Sequence, residues 1–243
     1  MTLALALRGC NGLVLGTDSR VTSVGADPAT GRIQEMTRDT SEKFLQVNRD
    51  IGVLTYGLAE PGYSGISRLV EEAKRQRFPS FQEIEKAAQG IFQEEFNNWA
   101  NAQPEAAPQG FVGFILAGYD SVHTNQFKVT SFQSSRAFQA EGVLNPMFLA
   151  AHYHVAHYLA KKSHYPEMMV DQLKELAVFL MLETMTVEAT VGGPIQAATV
   201  TLRNGFERVS ENGIYELMRS CRPKVQTFRK LLLDLWEPSP LAP

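Results

Sequence analysis

Short strand-like runs alternate along this chain with pairs of helix-like segments, and that order constrains the fold more than any single motif does. Thr2–Arg8 and Leu13–Thr17 flank a turn at Gly9, Cys10, Asn11 and Gly12, where Asn-Gly is a strong hairpin signal. Residues from about 24 to 40 are rich in Gly, Asp, Pro and Thr and read as a loop. Two further apolar runs, Phe44–Val47 and Ile51–Tyr56, hinge at Asn48, Arg49 and Asp50. Helices are then expected over about 63–76 and 81–101. The second carries an apolar stripe from Phe81 to Trp99 and opens on an S-x-x-E capping box, Ser80 to Glu83.

Beyond a linker with Pro104 and Pro108, Phe111–Tyr119 is nearly continuous and apolar, as a strand buried on both faces would be. Strands are expected at 127–132 and 136–140, and helices over about 146–161 and 168–185 with Pro166 between them. A strand at 195–202, a partner at 206–209 and a helix over about 214–235, interrupted or kinked at Pro223, complete the order. Strand groups alternating with antiparallel helix pairs imply an α+β chain: two packed antiparallel sheets covered by helices on both outer faces. We expect a single domain over 1–236 and a flexible tail, 237–243, with three prolines.

Composition narrows the function. Net charge is −3 with both signs interspersed, whereas a nucleic-acid binder would carry a basic patch. No apolar run is long enough to span a bilayer, and the start lacks a signal-peptide pattern. Cys10 and Cys221 stand apart in sequence and read as free thiols of a cytoplasmic protein. His152, His154, His157 and His164 crowd one stretch. No carboxylate or Cys completes a metal set at helical spacing, so no metal or cofactor is expected. The interleaved Tyr153, Tyr158 and Tyr165 suggest an interface or a groove between helices.

The chemistry points to Thr2. Removal of Met1 would leave Thr2 with both a hydroxyl and a free α-amine, whose pKa of roughly 7.7–8 suits a base near neutral pH. A threonine hydroxyl becomes a nucleophile when such a base takes its proton. Asp18 ends the second strand-like run, Lys43 opens the third, and Gly57 closes the fourth. Taken singly, each is ordinary: a turn aspartate, a surface lysine, a turn glycine. A threonine nucleophile would need a cation near its hydroxyl and an acid to hold that cation, and Lys43 and Asp18 are residues of those types.

Four segments carry a resemblance: GLVLGTDSRVT (Gly12–Thr22), KFLQVNRDIGVLTYG (Lys43–Gly57), MMVDQLKEL (Met168–Leu176) and GGPIQAATVTLRNG (Gly192–Gly205). The chain resembles the proteasome β-type subunits, among the N-terminal-nucleophile hydrolases, and within them most a bacterial proteasome-like protein. The resemblance implies a four-layer αββα sandwich and a threonine peptidase acting in a homo-oligomeric ring or helical assembly. It implies a peptide or unfolded protein as substrate; whether an unfoldase partner acts with it is left open. Thr2, Asp18, Lys43 and Gly57 would be catalytic, while Arg20, Val21, Thr22, Thr55 and Ala59 would border the substrate, with the small, uncharged Val21, Thr55 and Ala59 lining its first pocket.

The chain also departs from that pattern. Val143, in AEGVLNP, stands where a supporting Ser is expected, and Val191 replaces a second one before Gly192. Glu188, with Thr190 beside it, would stand in for a supporting Asp. A silent scaffold of the same fold, or an amidase acting on small amides, are the alternative readings.

Overall fold

The computed structural model describes residues 2–26, 33–150 and 154–236. The tail 237–243 and residue 1 lie outside them. The opening hairpin forms as the Asn-Gly turn predicts: β1 (Ala4–Arg8) pairs antiparallel with β2 (Gly12–Asp18), Leu5 opposite Gly16. The turn also receives a helix. Asn11 Oδ1 accepts the Val170 N–H at 2.8 Å, and a Cβ on Gly9 would fall 2.1 Å from the Met168 carbonyl oxygen.

The stretch expected to be a loop folds instead as a two-stranded ribbon, β3 (Val21–Ala26) with β4 (Ile33–Arg38), Val21 opposite Arg38. Its β-branched Val21, Thr22, Val24, Ile33 and Thr37 favour strand, and the Gly, Asp and Pro content that suggested a loop is concentrated between the two strands. β5 (Phe44–Asn48) and β6 (Ile51–Gly57) follow, then α1 (Ala59–Gln76) and α2 (Phe81–Ala102). At the start of α2, Ser80 Oγ accepts the Glu83 N–H at 3.3 Å. β7 (Val112–Asp120) is buried on both faces, and β8 (Gln126–Gln133) pairs with it.

Residues 136–140 do not form the expected strand. A 3-10 turn leads into Ala137 (φ 48) and Phe138 (φ 53), which tuck the Phe138 ring fully inside against Phe92 and Phe114. Only β9 (Glu141–Gly142) pairs beyond it. The helix expected from Pro146 is a second correction. Met147–Ala150 is β10, an edge strand on β1 with Ala4 opposite Ala150, and α3 spans His154–Ser163. A four-residue apolar run does not distinguish strand from helix; pairing with β1 decides it. α4 (Val170–Val187), β11 (Ile195–Thr201), β12 (Gly205–Arg208) and α5 (Glu211–Trp236, Pro223 inside it) complete the chain.

These elements build the expected α+β sandwich. One sheet has the order β10-β1-β2-β11-β12, the other β5-β6-β7-β8-β9, both antiparallel. Strand alternation sorts the core into three apolar layers. Leu3, Leu5, Leu7 and Val14 face α3, α4 and α5, while Ala4, Ala6, Leu13 and Leu15 face the second sheet. Val53, Val112, Phe114 and Leu116 face α1 and α2. Phe92 stacks on Phe114 with ring centres 3.7 Å apart and meets Phe132 edge-on. Phe92→Ala should therefore cost about 3–5 kcal/mol of stability, measured by guanidinium unfolding.

Candidate active site

The two sheets meet so that four strand ends converge. Thr2 precedes β1 and Asp18 ends β2 in one sheet, while Lys43 precedes β5 and Gly57 ends β6 in the other. Between them is a cavity of about 360 Å³ whose lining includes Thr2, Arg20, Val21, Lys43, Thr55, Gly57 and Ala59. Most of the residues singled out from sequence are thus gathered at one place.

Lys43 is 3% exposed, and its ammonium has all three N–H groups occupied. Nζ donates to Thr2 Oγ1 at 2.8 Å, to Asp18 Oδ2 at 3.3 Å and to the Arg20 carbonyl oxygen. Its own backbone is held from both sides: the Lys43 N–H donates to Gln196 Oε1, and its carbonyl accepts the Thr55 N–H. Burial pushes the Lys43 ammonium below the ordinary lysine value, against the attraction of Asp18.

Asp18 is fully buried. Oδ1 accepts the Leu3 N–H at 3.0 Å, which fixes the backbone next to Thr2. Oδ2 accepts the N–H groups of Arg20 at 3.1 Å and Gly192 at 3.3 Å, besides Lys43. Burial pushes its carboxyl up; Lys43 and the Gly192 and Arg20 donors pull it back.

Gly57 sits at φ +90, where a Cβ would fall 2.3 Å from the Phe111 carbonyl oxygen, so only glycine suits it. The ladder aims its N–H. Thr55 and Gly57 face Phe114 and Val112, and the Thr55 N–H turns away from β7 to the Lys43 carbonyl. Two residues on, the Gly57 N–H turns the same way, beyond the start of β5, while the Leu58 N–H goes to Phe111. Thr55 Oγ1 donates to the Gly113 carbonyl.

Other expected residues lie elsewhere. The backbone of Thr22 pairs with Thr37 in the ribbon, and its side chain is outside those described. Glu188 ends α4: its N–H bonds Thr184 and its carbonyl accepts the Val191 N–H, and it does not line the cavity. Val191 is 1% exposed in the helix-side core. Val143 lies in the other sheet's edge region, its N–H on the Val129 carbonyl, so AEGVLNP is not the loop beside Thr2. The chain that leads toward Thr2 is β10, where Ala150 faces Ala4. A small-residue stretch is too weak a pattern to place without that register. His152 and Tyr153 lie outside the described residues; among those described, no His, Cys, Asp or Glu cluster is arranged to hold a metal, and no helix is long and apolar enough to cross a membrane.

No family model and no curated protein matches this chain. Solved structures do match in fold, two of Anbu among them. Anbu from Yersinia bercovieri, described as an ancestral β-subunit, superposes with a TM-score of 0.69 over 98% of each chain at 14% identity. A mutant of Anbu from Hyphomicrobium sp. gives 0.68 over 98% of this chain and all of that one, also at 14%. At such identity the likeness establishes the fold alone, an α+β sandwich of two antiparallel sheets with helices outside them. It corrects the expectation of a proteasome β-type subunit, because Anbu is a different branch.

The cavity also has walls the sequence did not announce. Gln109, in the linker read only for its prolines, and Phe111, read as the first residue of a buried strand, line it with Tyr56 and Tyr63. Asp39, four residues before Lys43, pairs with Arg20. A lone acid in a stretch read as a loop carries no signal of its own.

The buried pair yields a direct prediction. Asp18→Ala leaves the Lys43 charge buried without its counter-ion and should cost about 3–5 kcal/mol in thermal unfolding. Asp18→Ala with Lys43→Met should recover much of that loss, since the orphaned charge is gone.

Proposed function

We propose that this chain is a threonine-type hydrolase of amide bonds, acting on peptides, with Thr2 as nucleophile. The observation that carries the reading is the 2.8 Å bond from the buried Lys43 ammonium to Thr2 Oγ1. A cation donating to that oxygen favours its deprotonated form. With Met1 removed, the Thr2 α-amine takes the hydroxyl proton as Oγ1 attacks the carbonyl carbon. The Gly57 N–H donates to the developing oxyanion, a contribution of about 3 kcal/mol in comparable sites. The C–N bond then breaks, the departing amine carries off the proton, and water hydrolyses the ester left on Thr2. Asp18 holds Lys43 and the Leu3 backbone in register. Val21, Thr55 and Ala59 favour small or apolar side chains of substrate, and Arg20 borders the cleft with its guanidinium committed to Asp39 and Ala189.

Assembly into a homo-oligomer belongs to the same proposal. Exposed Tyr158, Tyr165, Met169 and Val187 on and beside α3 and α4 support it. There are two alternatives: a silent scaffold, favoured by Val143 and Val191, which offer no hydroxyl, or an amidase of small substrates on the same fold.

Intact mass before and after an epoxyketone tests the reading. Loss of Met1 together with one adduct, absent in Thr2→Ala, is the expected result. Trimmed protein that never takes the adduct favours an alternative, and retained Met1 removes the base. The pH profile is a second check. Activity should rise with an apparent pKa below the ordinary 7.7–8 of an α-amine, because Lys43 disfavours the protonated amine. It should fall again below the ordinary lysine value, because burial lowers the pKa of Lys43 and its deprotonation removes the cation.

A further inference from the structure

We propose that Asp39 is a positioning residue for the Thr2–Lys43 pair, acting through Arg20. This rests on reading Lys43 as the activating cation. Asp39 directly follows β4, so the ribbon inserted between β2 and β5 delivers it. Its carboxylate takes Arg20 in a two-point grip: Nε donates to Oδ1 at 2.8 Å and the second terminal nitrogen to Oδ2 at 2.9 Å. Its backbone carbonyl accepts the Ser19 hydroxyl at 2.7 Å. Two successive residues are thus held by one.

What Asp39 holds is the segment that touches the reacting groups. The Arg20 carbonyl accepts from Lys43 Nζ, and the Arg20 N–H donates to Asp18 Oδ2. The first terminal nitrogen of Arg20 donates to the Ala189 carbonyl at 2.8 Å, and the Arg20 N–H also faces the Gly192 carbonyl at 3.0 Å. The facing turn is shaped to this clasp. A Cβ on Gly192 would fall 2.4 Å from Arg20 Cζ, and one on Gly193 would fall 2.5 Å from Ser19 Oγ. A bidentate guanidinium–carboxylate pair fixes direction as well as distance. The side chains of Arg20 and Asp39 are 25% and 41% exposed, a setting in which an ion pair adds little to stability. Its consequence is therefore geometric: the carbonyl that holds Lys43 stays where Lys43 can reach Thr2.

The charges around Lys43 agree. Asp18 faces it from β2, Arg20 from the segment after β2, and Asp39 from just after β4, while Tyr56 of β6 and Tyr63 of α1 are titratable hydroxyls lining the cavity. Asp39 favours the protonated lysine and Arg20 opposes it. Removing the Asp39 charge leaves Arg20 unopposed.

The test uses the full chain with Asp39→Asn and Asp39→Glu. Lys43 Nζ is titrated by NMR on protein labelled with ¹⁵N-lysine, the signal being assigned by its absence in Lys43→Met. Thermal unfolding, kcat and KM are measured alongside. Asp39→Asn should unfold within a few degrees of wild type and titrate Lys43 at lower pH. Its kcat should fall about ten- to a hundredfold with KM little changed, the cost of a small misplacement. Asp39→Glu should bring the Lys43 titration back toward wild type. An Asn variant whose Lys43 titrates like wild type overturns the proposal, whatever its activity. So does one that melts far below wild type, which makes Asp39 a structural residue, or a Glu variant no better than Asn. The titration needs no turnover: a wild-type protein that hydrolyses nothing sinks the proposed function and still leaves Asp39 to be judged.

Discussion

Everything at this site depends on burying a carboxylate and an ammonium side by side. Two charges taken out of water are costly unless every donor and acceptor finds a partner. Asp18 meets that condition with donors from Leu3, Arg20, Gly192 and Lys43, and Lys43 meets it with acceptors on Thr2, Asp18 and Arg20. Four separate stretches of chain must therefore arrive together. The register of β1 on β2, the turn after α4 and the start of β5 are all constrained by one pair of charges.

The sandwich makes that arrival possible. Thr2 and Asp18 come from adjacent strands of one sheet, Lys43 and Gly57 from adjacent strands of the other. The sheets pack through a layer that includes the small side chains Ala4 and Ala6, with the large leucines of the same strand turned to the helices. Glycines then permit the closest approaches, as at Gly57 and Gly192. Gln196 of β11 ties the two sheets at the site itself, its amide bonding both the Lys43 N–H and the Ser41 carbonyl.

Much of the layered order was legible from sequence because period-2 alternation and turn chemistry are local. The Asn-Gly hairpin, the buried β7 and the paired helices α1 and α2 follow from such patterns. The ribbon was not, because its strands are short and flanked by Gly, Asp and Pro. β10 was not, because four apolar residues become a strand only where β1 offers an edge. Residues 136–140 were misread because a buried Phe138 ring, rather than a ladder, sets the backbone there. At the site, Thr2, Asp18, Lys43 and Gly57 could be singled out by their places at strand ends. Val143 is tied to β8 of the other sheet and Glu188 stands outside the cavity lining, and neighbourhood in sequence was the only guide to either.

By itself the sequence determined the alternation of strands and helices and the residue types able to serve a threonine nucleophile. Those are properties of periodicity and side-chain chemistry, which a chain carries before it folds. Only the tertiary structure decided which charges face one another. The Lys43 ammonium lies on Thr2, Arg20 is claimed by Asp39, and Gln109 and Phe111 wall the cavity, because sheet packing brings together strand ends and loops far apart in the chain. A buried ion pair has no local signature; its energy exists only once both partners have left water in the same place.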